Sequence, residues 1–245
     1  MPAEAPVTIK TLPSSDVKFG KGNDITRSGT GSRHNKFMSR LLPLFPLQLV
    51  AFPGSAIPLH IFEERYKQMV GEAETSGTEF GIVLAKDNGI VNAGCTVVVE
   101  KVTERYPDGR FDVVARGQRR FSLISIDQEK DYLRGEVDYF DDDDWEAATP
   151  ELRAKALAAC RQVRAAHEDE GEDAPNPAHP MLSFQLAACV RDLDFQDMML
   201  RSRSEAERLR QFVAFAEEYV PRVDYAAKMK RLAPRNGSGH KPANL

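Results

Sequence analysis

Cysteine is scarce in this sequence of 245 residues, and neither sign of charge dominates it. Cys95, Cys160 and Cys189 lie far apart and form no C-x-x-C pair, which argues against both a disulfide framework and a structural zinc site. Reduced thiols, as in a cytoplasmic protein, are the simpler interpretation. The chain has 33 basic and 37 acidic residues, so no global positive field attracts a phosphate backbone. A dedicated nucleic-acid-binding protein is therefore disfavoured.

The sequence also lacks an uninterrupted apolar segment for a membrane helix. The run 41–62 contains no charged residue and has the length of a bilayer span, ~20 residues. Prolines interrupt it at Pro43, Pro46, Pro53 and Pro58. Each proline lacks a backbone donor and would break a spanning helix. Since the first thirty residues also lack the apolar core of a signal peptide, we expect a cytoplasmic protein without a membrane segment.

The apolar content that is present is sufficient for a globular fold, with 42% hydrophobic and 29% charged residues. Residues 1–37 are rich in Ser, Gly, Thr and Lys and predict a disordered tail, with Met38 as an alternative start of the chain. We expect a β-rich subdomain at 38–145, a helical subdomain at 146–232 and a polar tail at 233–245.

The β-rich part alternates apolar and polar residues from 42 to 140, as half-buried strands do. The spacing changes at 62–73, where apolar residues share one helical face that Gly77 can end. Tyr-Pro-Asp-Gly at 106–109 predicts a hairpin. Prolines in the first two strands should place these strands at edges or bulges. Five to six strands with one or two helices favour an antiparallel, partly closed β-barrel followed by a helical bundle, in the α+β class.

The helical part carries clear start signals. Thr149 can cap a helix that has Pro150 at its first position. Ser204 and Glu207 form a capping box at the start of the last helix. Pro221 should kink or end that helix.

Several linked motifs in the β-rich part resemble those of one protein family. The first group comprises Leu42–Leu47, Phe52-Pro53-Gly54, Ile57-Pro58-Leu59 and Ile61–Tyr66. The second group comprises Gly94-Cys95, Asp108-Gly109-Arg110, Gly117, Arg119-Arg120-Phe121 and Tyr132-Leu133. In this order and spacing the motifs resemble the N-terminal domain of Lon proteases, and the resemblance extends over about residues 40–230.

The resemblance implies a PUA-like fold and a module that recognises polypeptides without chemistry of its own. Complete Lon proteases add an ATPase module and a protease module, and no G-x-x-x-x-G-K-[ST] phosphate loop occurs here. We therefore expect a stand-alone domain, linked to protein quality control, that binds an unfolded or extended polypeptide or a partner protein. The alternatives are a nucleic-acid-binding protein, which a PUA-like fold suggests, and a hydrolase. The oligomeric state stays open.

The candidate polypeptide-binding residues lie at the start of the first predicted helix and are Phe62, Glu64, Arg65 and Tyr66. Glu64 and Arg65 should lie beside the rim of the barrel, with Phe62 and Tyr66 turned toward the core. An acidic residue here also complements the helix dipole, which is a purely structural role. Two modes of binding are open: strand addition at a sheet edge, and insertion of apolar side chains into a groove between barrel and bundle.

No catalytic, cofactor-binding or metal-binding residue is predicted. The stretch 167–179 offers carboxylate and imidazole ligands without fixed spacing, so it and the run Asp141–Asp144 are interpreted as solvated loops. No G-x-S-x-G motif occurs, and no cysteine has an activating local sequence. Four arginines lie between residues 110 and 120, and acidic residues on the neighbouring predicted strands are available to pair with them. Cross-strand ion pairs therefore explain Arg110, Arg116, Arg119 and Arg120 better than nucleic-acid binding does.

Overall fold

A computed structural model of the chain describes residues 41–87, 89–143, 147–167 and 174–232, with side chains described up to residue 229. The predicted tails, Met38 and the acidic residues 168–173 therefore lie outside the described residues. The strands are β1 (Leu42–Leu47), β2 (Ala56–Ile61), β3 (Phe80–Lys86), β4 (Gly89–Arg105), β5 (Phe111–Asp127) and β6 (Arg134–Phe140). The helices are α1 (Glu64–Ser76), α2 (Pro150–Ala166), α3 (Leu182–Ala187), α4 (Leu193–Arg201) and α5 (Glu205–Leu232).

Contacts within the chain divide it into two compact units. Unit 1 holds the six strands with α1 and α4, and unit 2 holds α2, α3 and α5. The sequence groups every helix after residue 146 in one bundle, whereas Asp192–Arg201 belongs with the strands. Arg120 on β5 explains the placement of α4, because its Nη1 donates to the carbonyl of Leu200 at 3.1 Å, in the last turn of that helix. Lys86 at the end of β3 also pairs with Asp194.

The sheet of unit 1 closes into a ring through five of its strands, while β2 is attached outside this ring along β5. Its order is β2-β5-β4-β3-β1-β6, and β6 pairs again with β5. Along one edge of the long strand β5, its first half pairs with β2 and its second half pairs with β6. Strand β4 pairs with the other edge of β5. The α+β class and the partly closed barrel are confirmed. One pair, β1 with β3, is parallel, because the connection between them crosses over through β2 and α1.

The prolines behave differently in the first two strands. Pro58 lies in β2, which pairs only with β5 among the described strands and is an edge, as predicted. The edge prediction is wrong for β1, which lies between β3 and β6. Its pairing with β6 is limited to Leu42 and Pro43, so Pro46 lies where β1 is laddered with β3 alone.

The core of the barrel is apolar and tightly packed around Phe121. The members of this cluster are Leu42, Leu44, Val83, Ile90, Phe121, Leu123 and Leu133.

Gly117 on β5 allows a close contact between two backbone segments, because a Cβ there would lie 2.0 Å from the carbonyl oxygen of Phe52. The loop after β1 thus lies directly on the β5 backbone, and its turn at Gly54 bonds to Gly117 at 2.9 Å.

Unit 2 begins its helices where the sequence predicts. The Thr149 hydroxyl accepts from the Leu152 amide at 3.2 Å, with Pro150 at the first helical position. The Ser204 hydroxyl accepts from the Glu207 amide at 3.2 Å. Pro221 is predicted to kink or end α5, and it does not end the helix, which continues through it to residue 232. Because proline has no amide proton, the carbonyl four residues earlier lacks its intrahelical donor, so a kink stays the predicted outcome.

A buried arginine organises unit 2 and was missed in the sequence. Arg208 on α5 is fully buried, and its Nη1 and Nη2 donate to the two carboxylate oxygens of Asp142 at 2.7 and 2.6 Å. It also donates to Ser183 and Glu205, at 2.7 and 3.0 Å. Burial opposes the charge on Arg208, but these bonds and the two carboxylates raise its pKa. The interpretation of Asp141–Asp144 as a solvated run is therefore wrong for Asp142.

Candidate functional site

Helix α1 carries a distinct surface at each end, both within unit 1. With 13 residues it is ~20 Å long, so the two surfaces are well separated. The surface at its start, named here the rim, consists of His60, Phe62 and Tyr106. The surface at its end is a cleft beside the C-terminal half of the helix.

The rim is built from β2 and the hairpin between β4 and β5. Phe62 stacks on the His60 ring with centroids 5.9 Å apart, and Tyr106 meets His60 edge-on at 5.8 Å. Below the rings, His60 Nδ1 lies 2.5 Å from Asp112 Oδ1, and the Tyr106 hydroxyl donates to Asp112 Oδ2 at 2.8 Å. The hydrogen bond to Asp112 raises the pKa of Tyr106. The predicted hairpin turn at 106–109 is confirmed, since the Gly109 amide donates to the Tyr106 carbonyl at 3.0 Å.

The structure separates the two aromatic candidates. Phe62 is 40% exposed, so the prediction that it turns toward the core is wrong. Phe62 lies between β2 and α1 rather than on the helix. The sequence pattern predicts an apolar helical face from residue 62 onward, but the helix begins only at Glu64. Tyr66 is only 2% exposed and packs against Phe45, with ring centroids 4.2 Å apart. Tyr66 is therefore a core residue and offers no surface to a ligand.

The two charged candidates also differ from each other. The side chain of Glu64 is 88% exposed, and its carboxylate accepts from Lys67 at 2.7 Å. The side chain of Arg65 is 16% exposed, donates to Glu63 at 2.7 and 2.9 Å, and lies 4.6 Å over the Tyr66 ring. The structure thus places Glu64 and Phe62 at the surface and gives Arg65 a packing role, so the four candidates do not form one accessible site.

The cleft is a space of about 590 Å³ between the second half of α1, the start of β1 and the end of β6. Its buried apolar lining comes from Leu42, Met69 and Ala73. Charged and aromatic side chains form the remaining walls: Glu72, Glu79, Arg119, Lys130, Arg134, Tyr132 and Tyr139. Most of the lining is therefore polar, with Leu41, Pro43 and Tyr139 as its partly exposed apolar and aromatic residues.

The charges of the cleft are arranged in pairs. Arg119 donates to Glu79 at 3.1 Å and its guanidinium lies 3.9 Å over the Tyr139 ring. Lys130 donates to the Tyr132 hydroxyl at 2.9 Å, and this bond raises the pKa of Lys130. A hydrogen bond from Gln68 is the largest cause that lowers the pKa of Glu72. Lys130 and Glu72 are therefore charged at neutral pH.

Tyr139 is the functional candidate that sequence reasoning missed. It is 41% exposed, and burial of the remaining part raises its pKa. In β6 it shares a face with Gly135 and Val137, but it lies at the end of the strand, opposite Phe121 of β5. The sequence signal that could have identified Tyr139 is a large aromatic residue at the last position of a strand on its core-side face.

Contacts within unit 1 hold the four arginines Arg110, Arg116, Arg119 and Arg120. Arg116 pairs with Glu100 across β4 and β5 at 2.7 Å, which confirms the predicted cross-strand pair. Arg110 instead pairs with Asp108 at 2.7 Å within the hairpin turn, so the cross-strand prediction is wrong for Arg110. Arg120 is buried against Phe140 and α4. Each of the four arginines nevertheless has a partner within unit 1.

Two absences concern the described residues alone. Among those residues, no group of three or more His, Cys, Asp or Glu is arranged to hold a metal ion. None of the described helices combines the length and the apolar content that crossing a bilayer requires.

Comparisons with known proteins agree on one family. A family model described as the ATP-dependent protease La (LON) substrate-binding domain matches residues 41–217. A Lon protease of Parabacteroides distasonis is 28% identical over 110 residues, which is 41% of this chain and 13% of that protease. A Lon protease of Roseiflexus castenholzii is 24% identical over 192 residues, which is 72% of this chain and 24% of that protease. The chain thus matches well under half the length of these proteases.

Solved structures show the same relationship. A Lon N-terminal domain protein from Xanthomonas campestris is 26% identical, with a TM-score of 0.57 over 72% of this chain and 98% of that one. The N-terminal domain of the Mycobacterium avium complex Lon protease is 18% identical, with a TM-score of 0.54 over 74% of this chain, and supports the fold alone. Because the family model covers both the barrel and most of the helical part, the chain belongs to the LON substrate-binding domain family.

Proposed function

We propose that the chain binds extended polypeptide segments and that the cleft of unit 1 receives them. The observation that carries this proposal is the composition of the cleft, in which an exposed tyrosine and a few apolar side chains lie among paired charges. Membership of a substrate-binding family supports the same function. A location in the cytoplasm and a link to protein quality control belong to the same proposal.

The size of the cleft favours a chain segment over a folded partner. Ligand clefts usually measure ~300–1,000 Å³, and about 590 Å³ holds a few side chains but no domain. Leu41 and Pro43, which line the cleft and are partly exposed, would contact apolar side chains of the segment, and Tyr139 would add a flat, rigid contact.

The charges of the cleft would give it a moderate preference for acidic over basic segments. Its lining contains three cations, Arg119, Lys130 and Arg134, and two carboxylates, Glu72 and Glu79. A peptide carboxylate can share the paired cations, so acidic segments should bind somewhat better than basic ones. Added salt should weaken binding modestly, since the Debye length is ~8 Å at physiological ionic strength.

The test measures the affinity of a fluorescently labelled, permanently unfolded polypeptide, such as reduced and carboxymethylated lactalbumin, by anisotropy. Tyr139→Ser should lower the affinity about 5- to 30-fold, as loss of an aromatic anchor usually does. Tyr225→Ser is the matched control, because Tyr225 on α5 is 66% exposed and does not line the cleft. Equal affinities of both variants and the unaltered chain would contradict the cleft. Tight, strongly salt-dependent binding to single-stranded RNA instead of the polypeptide would favour the nucleic-acid alternative.

We also propose that the module acts by binding, without chemistry. In the described part of the chain, the His60 ring contacts Asp112, Phe62 and Tyr106, none of which offers the serine, threonine or thiol that a triad needs. Purified protein incubated with casein and ATP should release no peptides above the blank. Proteolysis that disappears after His60→Ala would refute this part of the proposal.

A further inference from the structure

Two cysteines that are distant in the sequence meet in unit 2. Cys160 lies in α2 and Cys189 follows α3, and their Sγ atoms are 3.4 Å apart. Cys160 is buried, whereas Cys189 is partly exposed. Cys95, the third thiol, is buried in unit 1 and donates to the Thr96 carbonyl at 3.4 Å.

The geometry requires little movement to join the two sulfurs. A disulfide bond measures ~2.0 Å, so the sulfurs must approach each other by ~1.4 Å. Cys189 lies two residues beyond the end of α3, where its amide donates to the Leu186 carbonyl at 3.0 Å, so the approach falls mainly to the side chains of the two cysteines. Since α2 and α3 already pack together, no rearrangement of helices is needed.

We propose that Cys160 and Cys189 form a redox modification site, which closes to an intramolecular disulfide when it meets a peroxide. The Cys189 thiolate attacks one peroxide oxygen, the O–O bond breaks, and Cys189 becomes a sulfenic acid while hydroxide leaves. The sulfur of Cys160 then attacks Cys189 Sγ, and the S–S bond forms as the sulfenic hydroxyl leaves with the Cys160 proton as water. Over both steps two thiols lose two electrons and two protons, and hydrogen peroxide is reduced to two water molecules.

The order of the two steps follows from the surroundings of each thiol. Cys160 Sγ donates its hydrogen bond to Cys189 Sγ, and Cys189 Sγ donates in turn to the Gln185 carbonyl at 3.6 Å. The bond to Cys189 and burial raise the pKa of the Cys160 thiol, so Cys160 does not attack the peroxide first and loses its proton only as it attacks the sulfenic acid. Partial exposure allows the oxidant to reach Cys189.

The first measurement uses the unaltered full chain. After treatment with a small excess of hydrogen peroxide, thiols are blocked with iodoacetamide and peptides are mapped by mass spectrometry. We expect a peptide pair linked through Cys160 and Cys189, an unlinked Cys95, and a higher Tm that returns to its starting value after dithiothreitol. The pair should be consumed at least about ten-fold faster than Cys95, whose pKa burial raises to about 12.

Variants separate the roles of the two thiols. Cys160→Ser should leave a sulfenic acid on Cys189 that dimedone traps, Cys189→Ser should block oxidation of Cys160, and Cys95→Ser should still form the disulfide. Independent sulfinic acids on both cysteines, or a disulfide only between chains, would overturn the proposal. Peptide mapping of the unaltered chain decides the question even if a variant does not fold.

Discussion

Phe45 and Phe62 both lie near the start of α1 but differ in burial. Phe45 is buried against Tyr66 and Phe80, whereas Phe62 is exposed and stacks only along the rim. Phe45→Ala should lower the free energy of unfolding by roughly 3–5 kcal/mol, the cost of removing a large core side chain. Phe62→Ala should lower it by less than ~1 kcal/mol. Urea denaturation of both variants measures the difference, and equal losses would show that Phe62 supports the core.

Gly117 and Gly71 give opposite predictions for the same substitution. An alanine at 117 would place its Cβ 2.0 Å from the Phe52 carbonyl oxygen, so Gly117→Ala should destabilise unit 1 by about 1–3 kcal/mol or more. Gly71 lies inside α1, where an added Cβ meets no atom within 4 Å. Gly71→Ala should therefore stabilise the protein by roughly 0.5–1 kcal/mol. Thermal melts of both variants check the signs, and a tolerated alanine at 117 would contradict the close approach of the loop.

Tyr66 should make stability depend on alkaline pH. Burial raises the pKa of Tyr66 to about 12, from an ordinary value of 10.0. As the pH rises through this interval, the unfolded chain loses the phenol proton while the folded chain keeps it, so the free energy of unfolding falls by about 2–3 kcal/mol. Tyr66→Phe has no phenol to ionise and should lose correspondingly less stability over the interval. Denaturation of both proteins at the two ends of the interval tests this, and parallel losses would exclude Tyr66 as the cause.

At the scale of elements, Arg208 joins α5 to the start of α3 and to the segment after β6. Arg208→Met would leave the carboxylates of Asp142 and Glu205 without their buried partner. Because removal of one partner of a buried pair costs about 3–5 kcal/mol, unit 2 should be strongly destabilised. Arg210→Met is the control on the same helix, since Arg210 makes an exposed pair with Glu207 at 3.4 Å and should cost at most ~1 kcal/mol. Circular dichroism during urea denaturation distinguishes the two, and a small loss for Arg208→Met would refute its structural role.

Local signals in the sequence predicted the elements better than their partners. The strand alternation, the hairpin turn at 106–109 and the caps at Thr149 and Ser204 depend on neighbouring residues, and each appears where expected. The parallel pairing of β1 with β3 depends on contacts between residues far apart in the chain, as does the place of α4, and periodicity carries no such information. The same limit explains why Asp142 was assigned to solvent: its partner Arg208 lies 66 residues away.

The candidate site was predictable only in part, for a related reason. Helical spacing brought Phe62 and Tyr66 onto one face, but the helix begins at Glu64, so Phe62 escapes that face. The cleft combines side chains of α1, β1 and β6 with those of the loop before β6. A single sequence does not show that these segments converge, so it does not identify Tyr139 and Lys130 as site residues.

At the scale of the whole molecule, the central claim is that a bound polypeptide lies in the cleft at the end of α1. The photo-crosslinking amino acid benzoylphenylalanine can replace one exposed aromatic residue at a time: Tyr139 in the cleft, Phe62 at the rim or Tyr225 on α5. Each full-length protein is irradiated with the labelled unfolded polypeptide, and the covalent product is quantified on a denaturing gel. The account predicts a strong product from position 139, with positions 62 and 225 near the background of an unirradiated sample. A product from position 62 or 225 with none from position 139 would contradict it.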